Sequence, residues 1–174
     1  TGTAATMQIE ENLALAARRG QPRGLKWGIT ALERADYREL LKTLDLGLED
    51  RLTAKVGLLS GGQRQALTLL MASLKQPKLL LLDEHTAALD PKTADKVLAL
   101  SDQIVQENNL TTLMITHNMK DAIAHGNRLI MMDAGRVVVD ISGEDKKKLT
   151  VPDLLALFSR ASGSDEANDK MLLS

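Results

Sequence analysis

The chain has 174 residues, enough for a domain with a substantial core, and its 22 Lys and Arg side chains nearly balance its 23 Asp and Glu side chains. A net charge of −1, with one Trp, one Tyr and one Phe, argues against an electrostatic or stacking surface for nucleic acid, so no nucleic-acid partner is expected. Cysteine is absent, which excludes disulfides and thiolate metal sites, and no apolar run approaches the length of a membrane span.

The first third of the chain is predicted to be helical. Met7–Arg19 and Ala31–Leu44 both carry apolar residues at the spacing of one helix face. Between them, Gly20–Thr30 contains glycines and a proline, which interrupt regular structure. Gly47 follows the second helix and is expected to end it.

A third helix is predicted over Ser60–Lys75. Ser60 followed by Gln63 forms a capping box, and the residues after it are apolar nearly all round, so the helix should be buried. Gly61 and Gly62 leave no side chain between the first backbone N–H groups and a ligand. A helix start of this kind is a site for an anion. The alternative is an ordinary capped helix.

The run Leu79–Leu82 predicts a short strand that is buried on both faces of a parallel sheet. Asp83 and Glu84 follow it, at the sheet edge where α/β proteins bind ligands. One acid can hold Mg²⁺ through water, and its neighbour can orient or deprotonate an attacking water. Taken alone, the pair is better explained as two solvated acids at the end of a strand.

The next signals are a helix start and a second strand. Asp90 is a good N-cap and Pro91 a good first helical residue, so a helix is predicted from there through Glu107. Thr111–Thr116 is rich in β-forming residues and predicts another buried strand. His117 should then lie at the same sheet edge as the two acids, although a single His after a strand is more often structural than catalytic.

The remaining elements are predicted as a short helix capped by Asn118, a β-hairpin, a polar link and a last helix, over 119–125, 128–133 with 136–141, 143–148 and 150–160. A tail should follow. The order of elements indicates an α-helical subdomain, residues 1–75, joined to an α/β subdomain with parallel strands, residues 76–149. Residues 150–174 supply the carboxyl-terminal helix and tail.

Four of these features, in this order, resemble the second half of an ATP-binding-cassette (ABC) ATPase domain, whose fold is a P-loop NTPase-like α/β fold. Leu59–Gln63 matches the family's signature, Leu79–Glu84 its Walker B strand, Ala88–Asp90 its D-loop, and His117 its switch histidine. Asp83–Asp90 also resembles a subgroup of bacterial importer ATPases, because His85 stands where most of the family has proline.

The resemblance implies a role for each site residue. Ser60, Gly61, Gly62 and Gln63 would bind the γ-phosphate of an ATP held by a second ABC ATPase subunit, in a head-to-tail dimer. Asp83 would position Mg²⁺ through water, and Glu84 would be the general base. His117 would fix the γ-phosphate and the attacking water, and Asp90 would couple the two sites of the dimer.

The family's phosphate loop, Gly-x-x-x-x-Gly-Lys-Ser/Thr, does not occur in these 174 residues. We therefore interpret the chain as a fragment or part of a longer ATPase. By resemblance, that protein uses ATP and Mg²⁺ to drive a bacterial importer. It would be cytoplasmic, peripheral on the inner face of the membrane through permease subunits, and would work with a solute-binding protein.

Two alternatives remain. The chain could be a catalytically inactive half-domain that only binds a partner cassette. It could also come from a soluble ABC ATPase of DNA repair or translation. The repair type inserts a long coiled coil before the signature, and Met7–Leu58 is too short and too broken by glycine for one.

Overall fold

A computed structural model describes residues 2–21 and 28–162. The chain divides into two compact units between Met114 and Ile115. The three-part division expected from the sequence stays a prediction. Part of the segment between the first two predicted helices lies outside the described residues. The same is true of most of the expected tail. Within the described ranges, no helix is both long and apolar enough to cross a membrane.

The first unit follows the predicted order of elements, with helix ends a few residues shorter than expected. Its helices and strands are α1 (Ile9–Ala17), α2 (Ala31–Lys42), a 3₁₀ turn (Val56–Leu58), α3 (Gly61–Ser73), β1 (Leu80–Asp83), α4 (Pro91–Glu107) and the start of β2 (Thr112–Ile115). β1 and β2 are hydrogen-bonded neighbours in a parallel sheet. α4 is therefore the crossover that a parallel pair requires.

The helices pack around one apolar core. Ile9 and Leu13 of α1, Leu41 of α2 and Leu67 of α3 are fully buried in it. The prediction of a buried third helix is confirmed, because most of α3 from Ala66 onward is inaccessible to solvent. Burying a side chain of this size contributes about 1.5–3 kcal/mol, so this core holds α3 against α1 and α2.

An ion pair also joins the first two helices. Glu10 of α1 is 4% exposed, and both of its carboxylate oxygens accept hydrogen bonds from Arg34 of α2, from Nε at 2.5 Å and from Nη2 at 2.7 Å. A bidentate pair of this kind satisfies a buried carboxylate that would otherwise be costly.

The expectation that both strands are buried on both faces is wrong. Leu80 and Leu82 pack in a cluster with Ile104 of α4, whereas Leu81 of β1 is 63% exposed and Leu113 of β2 is 50% exposed. Successive side chains of a strand point to opposite faces, so α3 and α4 cover one face of this pair. An unbroken apolar run does not reveal that only one face is packed.

The second unit contains α5 (Met119–Ala124), β3 (Arg128–Asp133), β4 (Arg136–Ser142), α6 (Gly143–Lys147) and α7 (Val151–Ser162). β3 and β4 form the predicted antiparallel hairpin. Its two-residue turn, Ala134-Gly135, has positive φ at both positions, as a type I′ turn requires. Leu129, Val139 and Leu154 form the core of this unit.

One element of the second unit was predicted wrongly. The polar link expected over 143–148 is largely the helix α6. Lys146 on α6 is only 3% exposed, and its Nζ donates to the backbone carbonyls of Ile123 and His125, at 2.5 Å and 2.9 Å. These contacts to the end of α5 are distant in sequence, so a local pattern of polar residues does not predict them.

Candidate functional site

The start of α3 has the capping box that the sequence predicted. The Gln63 N–H donates to Ser60 Oγ at 3.3 Å, and the Ser60 N–H donates to Gln63 Oε1 at 3.1 Å. Gln63 Nε2 also donates to the backbone carbonyl of Leu46 at 3.3 Å, which ties the helix start to the loop after α2. Ser60 and Gly61 are exposed, whereas Gly62 is buried and the Gln63 N–H is taken by Ser60 Oγ, so Ser60 and Gly61 are the part of this helix start that faces solvent.

The two glycines of this segment have different surroundings. A Cβ at the exposed Gly61 would lie 3.1 Å from Leu89 Cδ2. Gly62 is buried, and a Cβ there would overlap Thr93 Cγ2, closer than the 3.0 Å that real Cβ contacts respect. These close approaches bring the Ser60–Gln63 segment against the residues on either side of Asp90. Sequence reasoning missed this contact, because no local signal reports it.

Asp90 is the N-cap of α4, as predicted. The Thr93 N–H donates to Asp90 Oδ1 at 3.1 Å. Hydrogen bonds from the Thr93 hydroxyl and amide hold the pKa of this exposed carboxyl below its ordinary value. A cleft of about 460 Å³ lies beside this contact, lined by Ser60 and Gln63 on one side and by Thr93 and Lys96 of α4 on the other.

Asp83 and Glu84 lie exposed at the carboxyl end of β1, in the same unit as the α3 start. Glu84 has a φ of 43°, a left-handed conformation that is uncommon for residues with a side chain. Its carbonyl accepts a hydrogen bond from the Ala87 N–H at 3.1 Å, which closes the turn after the strand. Sparsely populated backbone conformations of this kind concentrate at functional sites.

His85, the departure from the common family pattern, anchors this turn to α4. Its Nε2 lies 3.0 Å from Ser101 Oγ. The Ser101 hydroxyl donates its only proton to the Val97 carbonyl at 2.8 Å, so its oxygen accepts and His85 Nε2 donates. The ring thus holds the turn that carries the two acids.

His117 belongs to the second unit and is exposed, between the end of β2 and the start of α5. Asn118 next to it is the predicted N-cap: its Oδ1 accepts from the Lys120 N–H at 2.9 Å, and its own N–H donates to Thr116 Oγ1 at 3.1 Å. Lys146 holds the other end of the same helix. Contacts at both ends of α5 therefore fix this helix, and with it the neighbouring His117 segment, within the second unit.

The donor set at the end of β1 fits a magnesium ion that is bound together with a phosphate ligand. Within the described residues, no three carboxylate or imidazole groups are placed to hold a metal by themselves. Mg²⁺ typically takes one or two carboxylates, several waters and the phosphate oxygens of its substrate. Two adjacent exposed carboxylates satisfy that need and do not make a closed protein site.

Several known proteins have a similar sequence and fold. A family model described as ABC transporter matches residues 3–87. The chain is 49% identical over 160 residues to a tyrosine transport ATP-binding protein of Clostridioides difficile, covering 92% of this chain and 63% of that protein. It is 36% identical over 168 residues to a methionine import ATP-binding protein of Streptococcus pneumoniae, covering 93% of this chain and 44% of that protein.

A solved structure shows the same relationship. An ATP-binding cassette, dimeric and bound to ADP and Pi in a post-hydrolysis state, superposes with a TM-score of 0.63 and 29% identity, over 80% of this chain and 58% of that one. The fold is therefore that of an ABC ATPase domain, in the α/β P-loop NTPase-like class. The chain is thus similar to ABC transporter ATP-binding proteins over most of its own length, and it spans less than two thirds of the length of these relatives.

Proposed function

We propose that this chain is part of an ATPase subunit that hydrolyses ATP to drive a bacterial solute importer. One observation carries the proposal: a capped, glycine-led helix start packs against the Asp90 segment, in a unit that also presents Asp83 and Glu84 at the end of a strand. The relatives named above are transport or import proteins for tyrosine and methionine, which favours an amino-acid-like solute.

The start of α3 is proposed to bind the γ-phosphate of an ATP held by a second ABC ATPase subunit. Its first residues, Ser60 and Gly61, are exposed, and the positive end of the helix dipole attracts an anion there. Ser60 Oγ would contribute a hydroxyl, and Gln63 would keep the turn in shape through its bonds to Ser60 and Leu46. Gly61 lets the phosphate approach the backbone.

Glu84 is proposed as the general base of hydrolysis. Its carboxylate would take a proton from a water whose oxygen attacks the γ-phosphorus, while the bond from that phosphorus to the β,γ-bridging oxygen breaks and ADP leaves. Asp83 would hold Mg²⁺ through water, and the ion would neutralise charge on the phosphate oxygens. His85 keeps both acids in place by anchoring their turn on Ser101.

His117 is proposed to contact the γ-phosphate and the attacking water, and Asp90 to couple the two sites of a head-to-tail dimer. The intact protein would then act at the inner face of the cell membrane, docked on permease subunits and supplied by a solute-binding protein. His117 is exposed, so a phosphate can reach it and leave again, and the helix beside it is held at both ends.

The test is the substitution Glu84→Gln in the intact protein, with Glu107→Gln, a second exposed glutamate of the same unit, as the matched control. The amide keeps the shape of the side chain and loses the base. We expect ATP hydrolysis to fall by about 10²–10⁴ while ATP binding is kept. Hydrolysis at the unsubstituted rate would contradict the role of Glu84, and an intact protein with no ATPase activity would contradict the proposed function.

A further inference from the structure

We propose that Thr93 is a positioning residue that sets the Ser60–Gln63 segment against the Asp90 segment, and that position 62 must be glycine because of this contact. The consequence for turnover rests on the proposed function. The contact itself does not, because it is a packing relation between α3 and α4 within one unit.

The two helices approach each other closely at Gly62 and Thr93. Non-bonded carbon atoms are most stable about 3.5–4.0 Å apart, and a Cβ on Gly62 would overlap the Thr93 methyl group. Gly62 is buried, so the added carbon has no solvent to move into. The start of α3 therefore approaches α4 more closely than any residue larger than glycine allows.

The Thr93 side chain is not free to turn away from Gly62. Its N–H donates to Asp90 Oδ1 at 3.1 Å, and its hydroxyl lies close enough to the same carboxylate to lower the pKa of Asp90. A β-branched side chain has few χ1 rotamers, so turning the methyl group away from Gly62 would also turn the hydroxyl away from the Asp90 carboxylate. The conformation of Asp90, the Thr93 rotamer and the position of the α3 start are thus linked.

A second close approach flanks the same carboxylate. Leu89 Cδ2 lies 3.1 Å from where a Cβ of Gly61 would be, on the other side of Asp90 along the chain. These two close approaches, one before and one after Asp90, limit how far the helix start can move relative to the Asp90 segment. A displacement of the Asp90 segment must therefore displace the proposed phosphate-binding N–H groups as well.

This inference competes with another explanation of Gly62, in which the absent side chain gives a ligand access to the backbone. The two explanations differ in what can compensate for a methyl group at position 62. If Thr93 is the obstacle, removing its methyl group restores both packing and function. If ligand access is the reason, removing that methyl group restores packing only.

The experiment measures Gly62→Ala in the intact protein, alone and combined with Thr93→Ser or with Thr93→Val. Serine removes the methyl group and keeps a hydroxyl beside Asp90, whereas valine keeps a methyl group at the contact and is the matched control. We expect Gly62→Ala to lower the melting temperature and to reduce kcat by about 10²-fold, the effect of misplacing a group by about 1 Å. Adding Thr93→Ser to Gly62→Ala should restore the melting temperature and bring kcat within about tenfold of the unsubstituted protein. Adding Thr93→Val should restore neither the melting temperature nor kcat.

Two results would overturn the proposal. Recovery of the melting temperature without kcat in the Ser combination would assign Gly62 to ligand access. A Gly62→Ala protein with unchanged melting and kcat would show that the contact imposes no constraint. If the unsubstituted intact protein hydrolyses no ATP, the proposed function and the effect on turnover fail together, and the melting temperatures still decide whether the contact is real.

Discussion

The buried side chain of Lys146 is expected to contribute strongly to the stability of the second unit. Replacing it by Met keeps the length and the apolar stem of the side chain and removes the ammonium group. Two backbone carbonyls, those of Ile123 and His125, then lose their donor at the end of α5. The ordinary neighbour for comparison is Lys147, whose side chain is 72% exposed and pairs with Glu144.

The magnitude follows from these contacts. A hydrogen bond to a charged group contributes about 1.5–3 kcal/mol, and a cation at a helix end up to about 2 kcal/mol more in a partly buried site. Part of this is offset, because Lys146→Met also removes the cost of burying an ammonium group. We expect a net loss of about 3 kcal/mol for Lys146→Met, and about 0.5 kcal/mol or less for Lys147→Met.

Urea unfolding of the 174-residue chain, followed by far-ultraviolet circular dichroism, measures the free energies. Proton NMR adds a local measurement, because the chain has three histidines. His117 and His125 flank α5 and should shift or broaden in Lys146→Met, while His85, held by Ser101 in the other unit, should not. Equal stabilities of the Lys146 and Lys147 variants, or an unchanged His117 resonance, would refute the reasoning.

Two further predictions concern the first two helices. Arg34→Met should destabilise the chain more than Lys42→Met does in urea unfolding, because it leaves the buried Glu10 carboxylate without its partner, whereas Lys42 belongs to an exposed pair. Similar losses for both would contradict a structural role for the Glu10–Arg34 pair. The hydrogen bond from the Thr30 amide is the largest cause that lowers the pKa of Glu33 from 4.5 to about 2. This carboxylate therefore stabilises the fold above pH 4.5, and the contribution is lost as the pH falls toward 2. Glu33→Gln should therefore be less stable than the unsubstituted chain at pH 7 and equally stable near pH 2, and a difference that persists at pH 2 would argue against ionisation as its cause.

The sequence predicted best those features whose causes are local. Ser60 with Gln63, Asp90 with Pro91, and Asn118 each place an N-cap within three residues of the N–H groups it satisfies, and all three caps are present. The same holds for the hairpin turn, where two residues alone set the required backbone conformation.

What the sequence did not predict depends on residues far apart. The overlap that keeps position 62 a glycine involves Thr93, 31 residues later, and the burial of Lys146 depends on carbonyls more than 20 residues earlier. The exposure of Leu81 depends on which face of β1 is packed, which an apolar run does not encode. Of the candidate site, the residue types and their local placement were therefore predictable, and the packing that holds them was not.

Ser60 offers the most direct test of the central claim, that the start of α3 binds the γ-phosphate of a partner subunit. Asp caps a helix as well as Ser does, so Ser60→Asp should leave the melting temperature nearly unchanged. A γ-phosphate arriving there would meet a like charge where screening is weak. In the intact protein with Glu84→Gln and ATP, size-exclusion chromatography should show a dimer with Ser60 and only monomer with Ser60→Asp; a stable dimer of the Ser60→Asp protein with an unchanged melting temperature would contradict the claim and leave Ser60 as a helix cap alone.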